Sequence, residues 1–437
     1  MRSGRRRVRP GFLRRLLLIA AALAAGFLAP AMALAESVVV QRQVTIRTGP
    51  SRSFPHIIYP EIGAVLELLD DGSRRSGYYH VRLPDGRTGW IYYTFVRRQP
   101  DAVPPPAAAL FPAGEMAVHY VNVDQGASAL LEFSCGAILV DAGGRGTLAG
   151  DHLMSYLGAF FDRRPDLNRT LDAVYVTHTH IDHNSNLRRV AQTFRVNHYI
   201  HNGLVTGSGS GMAKWMLNYS SIASPPIEAV AVSNREIDPL GNSGLTNGAI
   251  DPIACEDGDP DIRVLSGGRI DNPGWPKTEF KNGNNHSVTV RVALGQASFL
   301  FTGDLEVDGI ELLLHRYQET QLLDVDVYEA GHHGAANGTT IELLNAMSPE
   351  VAVISAGDPD IHESWTAWAY GHPRRPLVEL LAANVSAPRT PVSVLVADRV
   401  KEFTPLELRT GVYATSWDGD IVIRGKADGT VAVTTGR

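Results

Sequence analysis

Cysteine is nearly missing from this chain, with two in 437 residues, Cys135 and Cys255. Neither has a C-x-x-C partner, so the chemistry is not cysteine-based. The two could pair in an oxidising compartment, but Cys135 sits in the apolar pattern "ALLEFSCGAILVDAGG", and a buried free thiol is the expected state. Long apolar runs are missing as well. Beyond residue 35 no stretch is long enough to span a bilayer, and no compositionally biased tract follows the N-terminus. Positive charge is also short. Residues 1–35 hold seven arginines and no acid; without them 33 basic residues face 46 acidic ones, a net charge of −13. A protein that grips nucleic acid nonspecifically does so by neutralising phosphates with Lys and Arg. That surplus is absent here, although bound metal would offset it locally.

What the N-terminus does contain is ordered. "MRSGRRRVRPGFLRR" is basic, "LLLIAAALAAGFLAP" is apolar, and "AMALA" offers small residues at Ala33 and Ala35. That is the layout of a secretory signal peptide over 1–35. The expectation is export to the periplasm or the extracellular space, with no stable membrane anchor left.

Residues 36–98 read as short β-patterned runs separated by turns at Thr48-Gly49-Pro50, Asp71-Gly72 and Asp85-Gly86, which suggests a small barrel. Residues 99–114, "RQPDAVPPPAAALFPAG" with its flanks, are Pro/Ala-rich and read as a semi-stiff linker. Residues 115–437 mix strand and helix patterns and hold nearly all candidate catalytic groups.

The densest chemistry lies in "AVYVTHTHIDHNSNLRRV", residues 173–190. An apolar run ends there in His178, His180, Asp182 and His183. In an extended backbone side chains alternate, so His178 and His180 point the same way. Imidazoles with a carboxylate suit zinc, iron or manganese. With only 15 histidines in the chain, four candidate ligands in six positions mark a metal site. They are also too many for one tetrahedral ion with an open position, which points to two ions. Two later clusters follow apolar runs, "ASFLFTGDLE" with Asp304 and "VDVYEAGHHGAANGT" with His332 and His333, and "YGHPRRP" adds His372.

"THTHIDH" resembles the H-x-H-x-D-H signature of the metallo-β-lactamase superfamily. Further pieces, in order, are similar to the hydrolase domain of the ComEC competence-protein family: "VNVDQGASALLEFSCGAILVDAGG", "NNHSVTVRVALGQASFLFTGD", "YEAGHHGAANGTT", "VAVISAG" before "YGHP", and "VYATSWDGDIVIRGKADGTVAV". The resemblance spans about 115–432 and implies an α/β fold, the αββα sandwich with two metals at one edge. The sequence departs from the family at "NVDQGAS", at "GHHGA", at His180 where Asp is frequent, and in a loop lengthened by "DPDIHESWTAWAY". An insertion over about 202–284 with a helical patch "GMAKWMLNYSSI" is expected to shape the mouth of the site. In the small segment, "VTIRTGPS" and "YYHVRLPDGRTGWIYYTFV" resemble a bacterial SH3 domain, which implies a small N-terminal all-β SH3-like barrel that binds cell-wall peptide or glycan.

Carried over residue by residue, the superfamily pattern gives the first ion His178, His180 and a third histidine. The second takes Asp182, His183 and a final histidine, with Asp304 bridging. His286, 18 residues before Asp304, stands where the third histidine is expected; His332, His333 and His372 compete for the final place. Two divalent ions, zinc foremost with manganese or iron as alternatives, would make hydroxide available near neutral pH. Asp182 would orient the nucleophile or move its proton, and an outer histidine would protonate the leaving group. Asp124, Gln125 and Asp141 to Gly144 read as turn residues. The function expected is an exported metal-dependent hydrolase of phosphodiester or nuclease type acting on a small-molecule or phosphodiester substrate. The alternatives are a lactone, lactam or ester hydrolase, and a wall-binding module with a vestigial site.

Overall fold

A computed structural model describes residues 37–99, apart from 43, 61–63, 71–72 and 84–85, and residues 111–436. The signal-like segment 1–35 and most of the linker lie outside the described residues. The chain divides into two compact units, Met1–Ala108 and Ala109–Arg437.

The first unit is strand-rich. Its antiparallel sheet runs in the order His56–Ile58, Ile46–Arg47, Thr88–Tyr92, Tyr78–Arg82, Val65–Leu68, Ser37–Val40, Val96–Gln99, with Arg74–Arg75 added on Tyr78–Arg82. Its core is small: Val38, Val40, Ile46, Leu66, Val81 and Ile91 are its most deeply buried members.

The second unit is a four-layer sandwich. One sheet has the order Glu228–Ala231, Arg195–His201, Thr170–Val176, Ala137–Val140, Ala129–Glu132, Glu115–Tyr120, Ile421–Lys426, Val431–Thr435. The other runs Asp261–Ser266, Thr289–Leu294, Ala297–Phe301, Val327–Glu329, Val351–Ile354, Val412–Ala414. Val118, Leu131 and Tyr175 of the first pack with Val290, Phe299 and Val353 of the second in one interior. Helices Thr147–Arg163, Leu187–Thr193 and Ser210–Ile222 cover the outer face of the first sheet. Helices Val307–Tyr317, Ile341–Met347 and Arg375–Asn384 cover that of the second, with the hairpin Pro388–Arg399/Glu402–Thr410.

This layering explains the apolar run before the histidines. Ala173 and Tyr175 face the interior between the sheets, while Leu171, Val174 and Val176 face the helices. A strand covered on both faces reads as continuously apolar rather than alternating. The pairing explains why the motifs converge. Ala137–Val140, Thr170–Val176 and Arg195–His201 are parallel, as are Ala297–Phe301, Val327–Glu329 and Val351–Ile354. Parallel neighbours need helical crossovers, so the exits of these strands collect at the same end of each sheet.

Two expectations change here. Cys135 and Cys255 form a disulfide rather than remaining free thiols. Cys135 occupies the turn between Ala129–Glu132 and Ala137–Val140, where its side chain is exposed, not the buried face of either strand. The insertion is also more than a mouth loop. Glu228–Ala231 adds an edge strand to one sheet and Asp261–Ser266 to the other, while "GMAKWMLNYSSI" lies within the helix Ser210–Ile222.

Candidate metal centre

Asp304 lies at the middle of the site. It follows Gly303, whose φ is +55° and whose added Cβ would come 2.7 Å from Thr177 Cβ, so a glycine lets the two strand exits touch. Asp304 is 2 % exposed. Its Oδ1 lies 3.0 Å from His183 Nε2 and 3.6 Å from His333 Nε2, and its Oδ2 lies 3.7 Å from His178 Nε2. Asp182 Oδ2 is 3.5 Å from His333 Nε2. Two donor groups result, His178–His180–Asp304 and Asp182–His183–Asp304–His333, with Asp304 common to both. Spacings of 3.0–3.7 Å suit donors sharing an ion at bond lengths of roughly 2.0–2.2 Å.

The surroundings fix which ring nitrogen is free. His183 Nδ1 donates to Asp141 Oδ2 at 2.7 Å, so Nε2 presents its lone pair to the centre. Asp141 is held in turn by the Thr177 amide and hydroxyl, both at 2.8 Å. His333 Nδ1 donates to the Ser355 carbonyl at 2.8 Å, which frees its Nε2 likewise. His332 and His333 both adopt left-handed backbone, φ +52° and +51°. For a non-glycine residue that conformation costs roughly 1–2 kcal/mol, a strain the surrounding contacts must hold.

Two observations test the fit of a cation. His178 Nε2 is buried without a hydrogen-bond partner, which leaves a lone pair aimed at Asp304. Burial would raise the Asp304 carboxyl, yet His183 and His333, followed by His332 and His178, hold it well below the usual carboxylate range. Burial would lower His183, yet Asp304 and Asp141 hold it well above the usual imidazole value. Positive charge belongs among these groups, as protons or as metal ions. The donor set fits divalent metal.

Not every sequence candidate joins. His286 does not reach the centre, contrary to expectation. Its Nε2 donates to the Phe280 carbonyl at 2.8 Å and its Nδ1 accepts from the Arg269 amide at 3.0 Å, so both ring nitrogens are used. The competition for the final histidine falls to His333. His332 Nε2 is 3.9 Å from Asp304 Oδ2, and its Nδ1 faces Asn337 Oδ1 at 3.2 Å and Glu306 Oε1 at 3.4 Å. His372 lies beyond it, rings 5.6 Å apart, with burial pushing it down to about 3. Neither belongs to a donor group among the described residues.

These groups open onto a cavity of about 250 Å³, also lined by Gln125, Arg145, Asn284, Trp365 and Tyr370. Asp141, Arg145, Trp365 and Glu306 were not singled out as functional in the sequence. For Asp141 the signal was an acid at a strand exit in "VDAGG"; for Trp365 it was the lengthened loop.

A buried carboxylate shared by two imidazole groups, at one end of an αββα sandwich, defines a metal-dependent hydrolase. The family model described as the metallo-beta-lactamase superfamily matches residues 121–358, more than half of the chain, and the chain belongs to that superfamily. Among curated proteins it is similar to "Competence protein ComA" of Neisseria gonorrhoeae, 35% identical over 103 residues, and to "ComE operon protein 3" of Bacillus subtilis (strain 168), 31% identical over 98 residues. These stretches cover 24% and 22% of this chain but 15% and 11% of the two relatives. Among solved structures, the metallo-beta-lactamase fold protein YhfI from Bacillus subtilis aligns with a TM-score of 0.32 and 14% identity, over 55% of this chain and 85% of that one. No helix among the described residues is long and apolar enough to cross a membrane.

Proposed function

We propose that this chain is an exported phosphodiesterase that works with two divalent ions, zinc foremost. The observation that carries the reading is the sharing of Asp304 between two donor groups beside an open cavity. Paired cations suit a phosphoryl group, because they can engage its attacking and leaving oxygens together. The motifs that resemble the ComEC competence-protein family favour the same choice. When bound, the ions would lower the pKa of water and neutralise charge that develops on the substrate.

The chain's own residues do the rest. Asp182, 3.5 Å from His333, sits where it can orient the nucleophile and hold its proton on Oδ2. His332 lines the cavity, its Nδ1 facing the acceptors Asn337 and Glu306 and its Nε2 3.4 Å from Asn284 Nδ2, so the ring is held where, as an imidazolium, it can pass a proton from Nε2 to the leaving oxygen. Asn284 Nδ2 donates to Glu306 at 2.7 Å and keeps that carboxylate in place.

Export is supported by the composition of residues 1–35 and by the Cys135–Cys255 disulfide, a bond that persists in oxidising compartments. The strand-rich first unit is proposed as an SH3-like module that holds the enzyme to cell-wall peptide or glycan. The test of activity uses residues 36–437 loaded with Zn²⁺ or Mn²⁺ and a chromogenic phosphodiester. Turnover should fall beyond roughly 100-fold in Asp304→Ala. A loaded protein that leaves phosphodiesters intact and opens lactones or lactams would move the assignment to acyl hydrolysis.

A further inference from the structure

Among the residues lining the cavity, one side chain carries a permanent positive charge: Arg145. Its loop is fastened to the segment that carries the metal ligands. The Ala142 amide donates to the His183 carbonyl at 2.9 Å, and Ser185 Oγ donates to the Gly144 carbonyl at 2.7 Å. Asn186 Nδ2 donates to the carbonyls of Gly143 and Gly144 at 2.6 and 3.0 Å. A Cβ on Gly143 would stand 1.7 Å from the Asp182 carbonyl oxygen, so only glycine lets the loop lie this close. The base of Arg145 is therefore set relative to Asp182 and His183, although the guanidinium itself is exposed.

The opposite support comes from the lengthened loop. The Trp365 ring lies under the guanidinium, with Cζ 5.5 Å from the ring centroid. A Cβ on Gly146 would be 3.3 Å from Trp365 Cη2, so backbone and indole are in contact at the foot of the pair. Stacking occupies the face of a guanidinium and leaves its N–H edge available. Among the described residues no ion pair engages that edge. A planar, always-charged fork of this kind matches phosphate or carboxylate with two parallel hydrogen bonds.

We propose that Arg145, seated on Trp365, is an anion-recognising subsite of this enzyme, and that its preferred substrates carry a second anionic group, phosphate or carboxylate, beside the bond that is cleaved. The cleaved bond rests on the phosphodiesterase reading; the anion subsite does not. Asp182 and Asp304 line the same cavity, so Arg145 is the one permanently cationic side chain there to offset their charge for an incoming anion. A neutral substrate gains nothing from the guanidinium, whereas a second anion gains a charge-assisted pair on a loop that is already ordered.

The test compares thymidine 5′-(p-nitrophenyl phosphate) with and without a 3′-phosphate, using the metal-loaded mature chain. The 3′-phosphate should raise kcat/KM about tenfold, mostly through KM, and Arg145→Ala should cut that advantage to about twofold or less. Arg145→Lys should keep part of it, because charge remains while the fork is lost. A second readout needs no turnover. Inorganic phosphate and, separately, succinate are titrated into the chelated full chain, followed by tryptophan fluorescence and calorimetry. Phosphate binding should vanish in Arg145→Ala; in Trp365→Phe the fluorescence response should vanish while the heat remains. Stronger binding of succinate than phosphate would assign the second group to carboxylates and keep the subsite. Loss of anion binding in Arg145→Ala from a protein that cleaves neither ester would sustain the subsite and sink the phosphodiesterase reading. Unchanged phosphate binding and an unchanged 3′-phosphate preference in Arg145→Ala would overturn the proposal.

Discussion

The two donor groups that meet at Asp304 are built differently. On one side His183 leans on Asp141 and His333 on the Ser355 carbonyl, with Asp182 beside them. On the other side His178 Nδ1 has only the hydroxyls of Thr177 and Ser287, at 3.2 and 3.5 Å. His180 is half-buried, and among the described residues no hydrogen bond reaches its ring. A carboxylate or carbonyl behind an imidazole fixes its tautomer and raises its basicity as a ligand. The braced group should therefore hold an ion more tightly, and the less braced group should be the first to lose one. A shared bridging residue does not make two equal sites.

The largest effect should come from the residue the two groups share. Asp304→Ala should drop metal content from about two ions per chain to well under one, read by elemental analysis after gel filtration. Retention of both ions would deny the bridge. Next comes His180→Ala, which should cost one ion and leave the other, because the braced group does not include its ring. If the remaining ion were also lost, the two groups would be one cooperative unit and the contrast would fail. Smaller again is Asp141→Asn. It preserves shape but removes the charge behind His183, and should weaken the tighter ion by roughly 10–100-fold in a chelator competition. An effect confined to the weaker ion would reverse the assignment.

This contrast also marks what could be read from sequence. The donors His178, His180, Asp182 and His183 were legible because they are local: one strand exit sets their mutual spacing, and the apolar run before them announces the strand. Asp304 and the pair His332–His333 were legible because the same pattern recurs. The braces were not. Asp141 comes from a neighbouring strand 42 positions before His183, and the carbonyl behind His333 is backbone at Ser355. Backbone carbonyls carry no sequence signal, and Asp141 looked like a turn residue, which its φ of +60° shows it also is. The choice among His332, His333 and His372 depended on left-handed backbone at adjacent histidines, a conformation that no residue-type pattern announces. The sandwich itself was readable from motif order, whereas the disulfide was hidden because Cys135 belongs to a turn inside an otherwise apolar run.

His286 provides the smallest expected effect on metal and the sharpest discrimination. By position it belongs to the less braced group, as the third histidine that group lacks. By geometry it is a structural clamp, joining the Arg269 amide to the Phe280 carbonyl while 3 % exposed. Replacing it with alanine leaves a buried donor and a buried acceptor unpaired, at a cost of about 1–3 kcal/mol each at most. His286→Ala should thus lower the unfolding midpoint while metal content and the affinity of both ions stay at wild-type values. Asn and Gln can each offer one acceptor and one donor in the same space, so one of these substitutions should recover part of the stability. A ligand would behave in the opposite way: metal would be lost, and the stability deficit would disappear once both proteins were compared in chelator. Loss of one ion in His286→Ala, with thermal stability otherwise intact, would restore the histidine to the less braced group. It would then fall to a rearrangement of Lys277–Lys281 and the following turn to bring the ring to His178 and His180.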